Sequence, residues 1–316
     1  MRNKMKNSTE IKSNKVAPPS GRYAARAGGA VWRLKYAPHF GSFASAGNEL
    51  IDQIKYSADL GFTAFEDNAF SGVPMPNLMG IGMLGQTPEY LDKIGKTLSD
   101  LNMEMGTFVM GPVNWPPNAA FTSGKEGFRN IFLDKCRQAV EVGKRLNGKY
   151  VTVVPDAADP TLPYEIQTAN VLESLKRAAE IFEPHGVIMV LEPLSFPPQV
   201  YLKTSAQCYL LAKAVNSSAC KILFDLFHLQ QNEGNLKRNI DLVWDEIGYF
   251  QIGDVPQRFE PGTGEINHLD VFKHIYQKAQ ATDKNFIFGM EHYNAVAGVA
   301  GENAMLEAYL KLDNSL

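Results

Sequence analysis

The chain has no apolar run approaching the ~18 residues that a membrane helix needs, which excludes a spanning segment and leaves no membrane partner expected. Its basic amino terminus is not followed by the apolar core of a signal peptide. It has three cysteines, Cys136, Cys208 and Cys220, with no CxxC spacing. They read as reduced structural thiols of a cytoplasmic protein rather than as a disulfide framework or a soft-metal site. The six histidines include no closely spaced pair, and the net charge of −3 offers no basic surface. A nucleic-acid partner is therefore not expected. There is also no short-period repeat and no Pro/Gly-rich linker dividing the chain.

The 316 residues are 45% hydrophobic and 21% charged, enough apolar material for one large α/β core. The first part differs from the rest, since residues 1–33 carry eight Lys/Arg against the single acid Glu10. That segment is expected to be a solvated, partly disordered extension, with the folded domain over residues 34–316.

From Leu34 a strand-then-helix rhythm sets in. Strands are expected at 34–38, 63–66, 105–110, 150–154, 187–191, 221–225, 249–252 and 286–291. Helices are expected between them at 48–60, 88–101, 125–146, 164–182, 204–215, 236–247, 269–281 and 302–312. The second helix has Thr87 as N-cap with Pro88 at its first position. Two connections are long and rich in Gly, Pro and Met or Trp, Asn68 to Gly85 and the loop holding Trp115-Pro116-Pro117. Loops of that length are more often functional than idle. Eight alternations over this length give a single (β/α)8 TIM barrel, fold class α/β, with an N-terminal extension.

The strand Val187-Ile188-Met189-Val190-Leu191 stops at Glu192, because Pro193 has no N–H to continue a central ladder. The next three strands end at Asp225, Gln251 and Glu291. Parallel neighbours put all four side chains on one rim of the barrel mouth, where ligands of this fold bind. Three carboxylates and an amide oxygen converging there repel one another unless a cation joins them. An all-oxygen set suits Mg2+ or Mn2+, with Zn2+ or Co2+ as further options. His228, three residues past Asp225, is a candidate for binding a substrate hydroxyl or steering a carboxylate. In the dense loop 253–267, Arg258 is a candidate clamp for a substrate carboxylate or oxyanion. Glu265 is a candidate to orient that arginine or to bind a hydroxyl, the alternative being a structural Arg–Glu pair within the loop.

The motifs Leu191-Glu192-Pro193-Leu194, Phe224-Asp225-x-x-His228, Phe250-Gln251-Ile252-Gly253-Asp254-Val255-Pro256-x-Arg258, Glu260-Pro261-Gly262-Thr263-Gly264-Glu265-Ile266-Asn267 and Gly289-x-Glu291 resemble the xylose-isomerase-like barrels, and within them the hydroxypyruvate-isomerase branch. The resemblance spans Tyr36 to Leu312 and is most specific in the second half. It implies that Glu192, Asp225, Gln251 and Glu291 hold a divalent metal and that Glu192 and Glu291 exchange the substrate proton. The related ketose 3-epimerases usually have histidine where this chain has Gln251. The first half departs from the branch, with Ala37-Pro38-His39-Phe40 in place of Asn-x-Ser and Glu66-Asp67-Asn68 in place of Phe-Pro-Tyr. Those positions border the substrate, which makes His39 and Glu66 candidate contacts.

The function expected is an isomerase that moves a proton between adjacent carbons of a small hydroxy-keto acid or sugar through an enediolate. A 3-epimerase or a sugar or inositol dehydratase would use the same metal centre. A non-catalytic sugar-binding barrel is the alternative outside enzymes, and homo-oligomerisation is left open.

Overall fold

Runs rich in β-branched and aromatic residues, bounded by Gly, Pro or polar turns, are the pattern of strands buried on both faces. Eight such runs form β1 (Lys35–Ala37), β2 (Ala64–Asp67), β3 (Glu104–Val109), β4 (Tyr150–Val153), β5 (Ile188–Leu191), β6 (Cys220–Asp225), β7 (Ile247–Gln251) and β8 (Ile287–Gly289). The computed structural model describes residues 32–69, 79–111 and 118–316. The hydrogen-bonded order is β1-β8-β7-β6-β5-β4-β3-β2, and the pairs are parallel. A parallel bridge from His39 to Glu66 joins β1 to β2, and the Glu66 amide donates to the Pro38 carbonyl at 3.0 Å. The sheet thus closes into the expected (β/α)8 barrel.

The helices are α1 (Leu50–Asp59), α2 (Pro88–Asp100), α3 (Glu126–Leu146), α4 (Tyr164–Phe182), α5 (Ser205–Val215), α6 (Leu226–Asn232), α7 (Leu236–Val243), α8 (His268–Thr282) and α9 (Gly298–Asp313). Helix α2 starts where Thr87 accepts from the Tyr90 amide, and it buries Leu91, Ile94 and Leu98 at helical spacing. Helix α5 starts in a capping box between Thr204 and Gln207. Such caps each contribute about 1 kcal/mol.

Most of the core lies between barrel and helices, while Ala37, Ala64, Val190, Leu223, Tyr249 and Ile287 fill the barrel interior. Two glycines there answer to specific neighbours. A Cβ on Gly106 would lie 2.4 Å from the Tyr249 hydroxyl, and one on Gly289 would lie 2.0 Å from Glu66 Oε2. Polar side chains cross the interior at these points, and only glycine leaves them room.

Helix α6 was not expected as an element, helix α7 stops at Val243 rather than reaching Ile247, and β8 ends at Gly289, two residues before Glu291. Trp32 is buried and stacks on Phe62 at 5.1 Å, and the Arg33 amide donates to Asp313 Oδ1 at 2.9 Å. These two residues of the expected extension therefore pack on the barrel. Residues 1–31, residues 70–78 of the first long loop, and Trp115-Pro116-Pro117 lie outside the described residues. The three cysteines are free and buried. No helix among the described residues is long and apolar enough to cross a membrane.

Candidate functional site

Strands β5 to β8 each carry one polar side chain at or just past their carboxyl ends, Glu192, Asp225, Gln251 and Glu291. The Glu192 amide makes a last ladder bond to the Val153 carbonyl at 3.1 Å, and Pro193 then ends pairing. Asp225 closes β6 and caps α6, its Oδ1 accepting from the amides of Phe227 at 2.7 Å and His228 at 3.3 Å. Gln251 closes β7 in register with Asp225 on one side and Gly289 on the other. Glu192, Asp225, His228, Gln251 and Arg258 are all buried, none more than 6% exposed.

Arg258 is where the cluster meets. Its backbone is held in the left-handed region, φ 58°, which a non-glycine residue adopts at a cost of roughly 1–3 kcal/mol and which collects at functional sites. Its Nη2 donates to Asp225 Oδ2 at 2.7 Å and lies 2.7 Å from Glu291 Oε2, and its Nε donates to the Glu291 carbonyl at 2.9 Å. Nη1 donates to His228 Nε2 at 2.7 Å, and the guanidinium carbon stands 4.8 Å from the Phe227 ring centroid. Since arginine can only donate, His228 Nε2 accepts, while Nδ1 lies 2.8 Å from Ser195 Oγ and 3.1 Å from the Ser195 amide nitrogen. His228 Nε2 is also 3.8 Å from both Glu192 Oε1 and Asp225 Oδ2. One ligand atom each from Glu192, Asp225 and His228 fall within 4.8 Å of one another.

Burial governs the charges here. Desolvation, then Glu291 and Asp225, push the Glu192 carboxyl well above its usual range. Burial pushes Glu291 up to about 7 against the pull of Arg258, and raises Asp225 as well. Burial and then the arginine hold His228 well below its ordinary value, so it is neutral. Burial also works against the charge on Arg258, but Glu291, Asp225 and Glu192 more than offset it.

Three expected contacts sit elsewhere. Glu66 is fully buried, and its oxygens accept from the Tyr249 hydroxyl and the Asn68 amide, each at 2.8 Å. His39 has Nδ1 at 2.8 Å from the Phe40 carbonyl and Nε2 at 3.0 Å from the His292 carbonyl, so backbone engages the ring. Glu265 is exposed and lines an outer hollow of about 170 Å³ with Lys237 and Asp270. The cause is Asp254, whose carboxylate accepts from the amides of Val255, Gly262, Gly264 and Ile266 and folds the loop so that Glu265 turns outward. The expected Arg258–Glu265 pairing is thus replaced by Arg258 on Asp225 and Glu291.

Asn68, Ser195 and Tyr249 were not anticipated. Tyr249 was legible in principle, because it stands two residues before Gln251 on the same strand face. The same spacing relates Asn68 to Glu66. Nothing in the sequence ties Ser195 to His228.

A family model for xylose isomerase-like TIM barrels matches residues 54–309. Among curated proteins, the chain is 28% identical over 193 residues to hydroxypyruvate isomerase of Escherichia coli, covering 58% of this chain and 73% of that one. It is 29% identical over 227 residues to 2-oxo-tetronate isomerase of Pectobacterium atrosepticum, covering 71% of this chain and 80% of that one. Among solved structures, 3-keto-D-glucoside 4-epimerase of E. coli superposes with a TM-score of 0.69 at 16% identity, covering 89% of this chain and 99% of that one, a likeness of fold.

Proposed function

The chain belongs to the xylose isomerase-like TIM barrel family, and we propose that it is a divalent-metal-dependent isomerase moving a proton between adjacent carbons of a small hydroxy-carbonyl compound. The names of its curated relatives point to a hydroxy-keto acid as the substrate class. The observation that carries the reading is unbalanced buried charge. Glu192, Asp225 and Glu291 converge on one guanidinium, that of Arg258, and Glu66 adds a further buried carboxyl that feels Glu291 and Asp225. Burying carboxylates without counter-charge costs several kcal/mol each, roughly, unless they take up protons or a cation.

The residues fit such a cation. Gln251 Oε1 is buried without a hydrogen-bond partner among the described residues, an orphaned acceptor beside the carboxylates. Glu192, Asp225, Gln251 and Glu291 would hold the ion, an all-oxygen set suited to Mg2+ or Mn2+, with Zn2+ and Co2+ as further options. When bound, the cation supplies positive charge beside the substrate's carbonyl and hydroxyl oxygens, which makes the intervening C–H acidic.

The protein's own groups do the rest. Burial raises the proton affinity of both Glu192 and Glu291, the latter to a pKa of about 7, so one takes the proton and the other returns it to the neighbouring carbon. Arg258 keeps one Nη1 hydrogen for a substrate carboxylate, its other Nη1 hydrogen being held by His228. His228, neutral and anchored on Ser195, fixes the plane of that guanidinium.

The test is substitution of Glu192 and Glu291 by glutamine, each expected to lower isomerase turnover about 10²–10⁴-fold with the far-UV spectrum unchanged. Full turnover in either variant would show that its carboxylate moves no proton.

A further inference from the structure

We propose that Asn68, held by Glu66, determines which end of the Gln251 amide faces the cation site, an inference that rests on the metal reading above. A glutamine amide has nitrogen on one side and oxygen on the other with nearly the same shape, and only the oxygen can ligate a cation. Something must therefore choose between two orientations at Gln251.

The choice is made by a chain of donors that runs across the barrel interior. The Tyr249 hydroxyl and the Asn68 Nδ2 both donate to Glu66, on Oε2 and Oε1, at 2.8 Å each. With its nitrogen committed to Glu66, Asn68 turns Oδ1 to Gln251, and Gln251 answers with Nε2 at 3.1 Å. Gln251 Oε1 is left buried and without a partner among the described residues. The reversed amide would set two acceptor oxygens against each other and aim N–H groups at the carboxylates' cation. The direction does not depend on the charge of Glu66. If protonated on Oε2, it can donate to the Tyr249 hydroxyl while Oε1 still accepts from Asn68.

The backbone around this chain is fixed. The Asn68 amide donates to the Met79 carbonyl at 2.9 Å, and Asp67 accepts from the amides of Gly82 at 3.1 Å and Met83 at 3.0 Å. Gly289, where a Cβ would strike Glu66, keeps the crossing open. Asn68 is thus a positioning residue acting through Gln251, and Glu66 is its anchor.

The experiment measures Mn2+ affinity of the full chain by titration calorimetry and by the free-Mn2+ EPR signal. Asn68→Leu has the same size but no acceptor, and is expected to weaken Mn2+ binding about 10- to 100-fold. In a Gln251→Glu background both amide positions become oxygen, so adding Asn68→Leu there should change affinity less than about threefold. Undiminished binding by Asn68→Leu, or equal losses in both backgrounds, overturns the inference and leaves the metal reading standing. A wild-type protein that binds no Mn2+ removes both.

Discussion

Arg258→Met should remove the guanidinium that partly offsets the buried carboxylates and leave them dependent on added cation. The guanidinium lies 2.7 Å from Asp225 Oδ2 and 2.7 Å from Glu291 Oε2, and it is 6% exposed. Removing one partner of a buried pair strands the other charge at a cost of about 3–5 kcal/mol. At roughly 2–4 °C per kcal/mol for a domain of such size, Tm in EDTA at pH 8 should fall by about 6–20 °C. The sign with pH follows from the direction of the shifts. Arg258 holds Glu291 and Asp225 down, so its loss raises their folded-state pKa values further above the unfolded ones. Carboxyls raised in this way lose stability as pH rises, so the deficit should be smaller at pH 5 and larger at pH 8. Mn2+ at about 100 times its Kd contributes ~2.7 kcal/mol and should recover most of the loss. Differential scanning calorimetry at matched scan rates is the assay. A variant within about 2 °C of wild type in EDTA at pH 8 would refute the counter-charge reasoning.

Three further outcomes are expected. Metal-free wild-type protein should lose about 3 kcal/mol between pH 4.5 and 7, because Glu291 is pushed from 4.5 to about 7 and the folded state holds the extra proton over that window; urea titrations across pH, with and without Mn2+, measure it, and a flat profile contradicts it. Gly289→Ala places a Cβ 2.0 Å from Glu66 Oε2, so it should destabilise the fold by ~1–3 kcal/mol and weaken Mn2+ binding together, read by urea midpoint and calorimetry. Asp254→Asn exchanges one acceptor oxygen of a four-amide clamp for a donor and should cost about 1–3 kcal/mol in the same urea assay; it should also raise KM more than it lowers kcat, because the Arg258 amide is tied to the Asp254 carbonyl at 2.8 Å.

Local chemistry made much of this legible. Pro193 after Glu192 and the acids after buried runs place the strand ends within a residue or two, because a proline stop or a solvated carboxylate is a local event. Helix α6 escaped because Asp225 serves two strings at once, ending β6 and capping the next turn, so an apolar run read as loop is helical. Glu265 was misplaced because the loop's shape depends on Asp254 reaching as far as Ile266, twelve residues on. The Asn68–Gln251 contact joins residues 183 apart across two intervening strands, and no spacing rule reaches that far. The pairing of Arg258 with Asp225 and Glu291 is of the same kind: the sequence supplies a cation and acids, while only the closed barrel decides which meet.

The most direct measurement of the central claim is proton exchange. Wild-type protein with Mn2+ or Mg2+ in deuterated water, offered short hydroxy-keto acids and ketoses, should wash deuterium into the carbon next to the carbonyl of its substrate and form the isomer. EDTA, Glu192→Gln and Glu291→Gln should each stop both. Mn2+ binding and substrate binding without deuterium entering any member of the panel would contradict the isomerase account and identify a binding barrel instead.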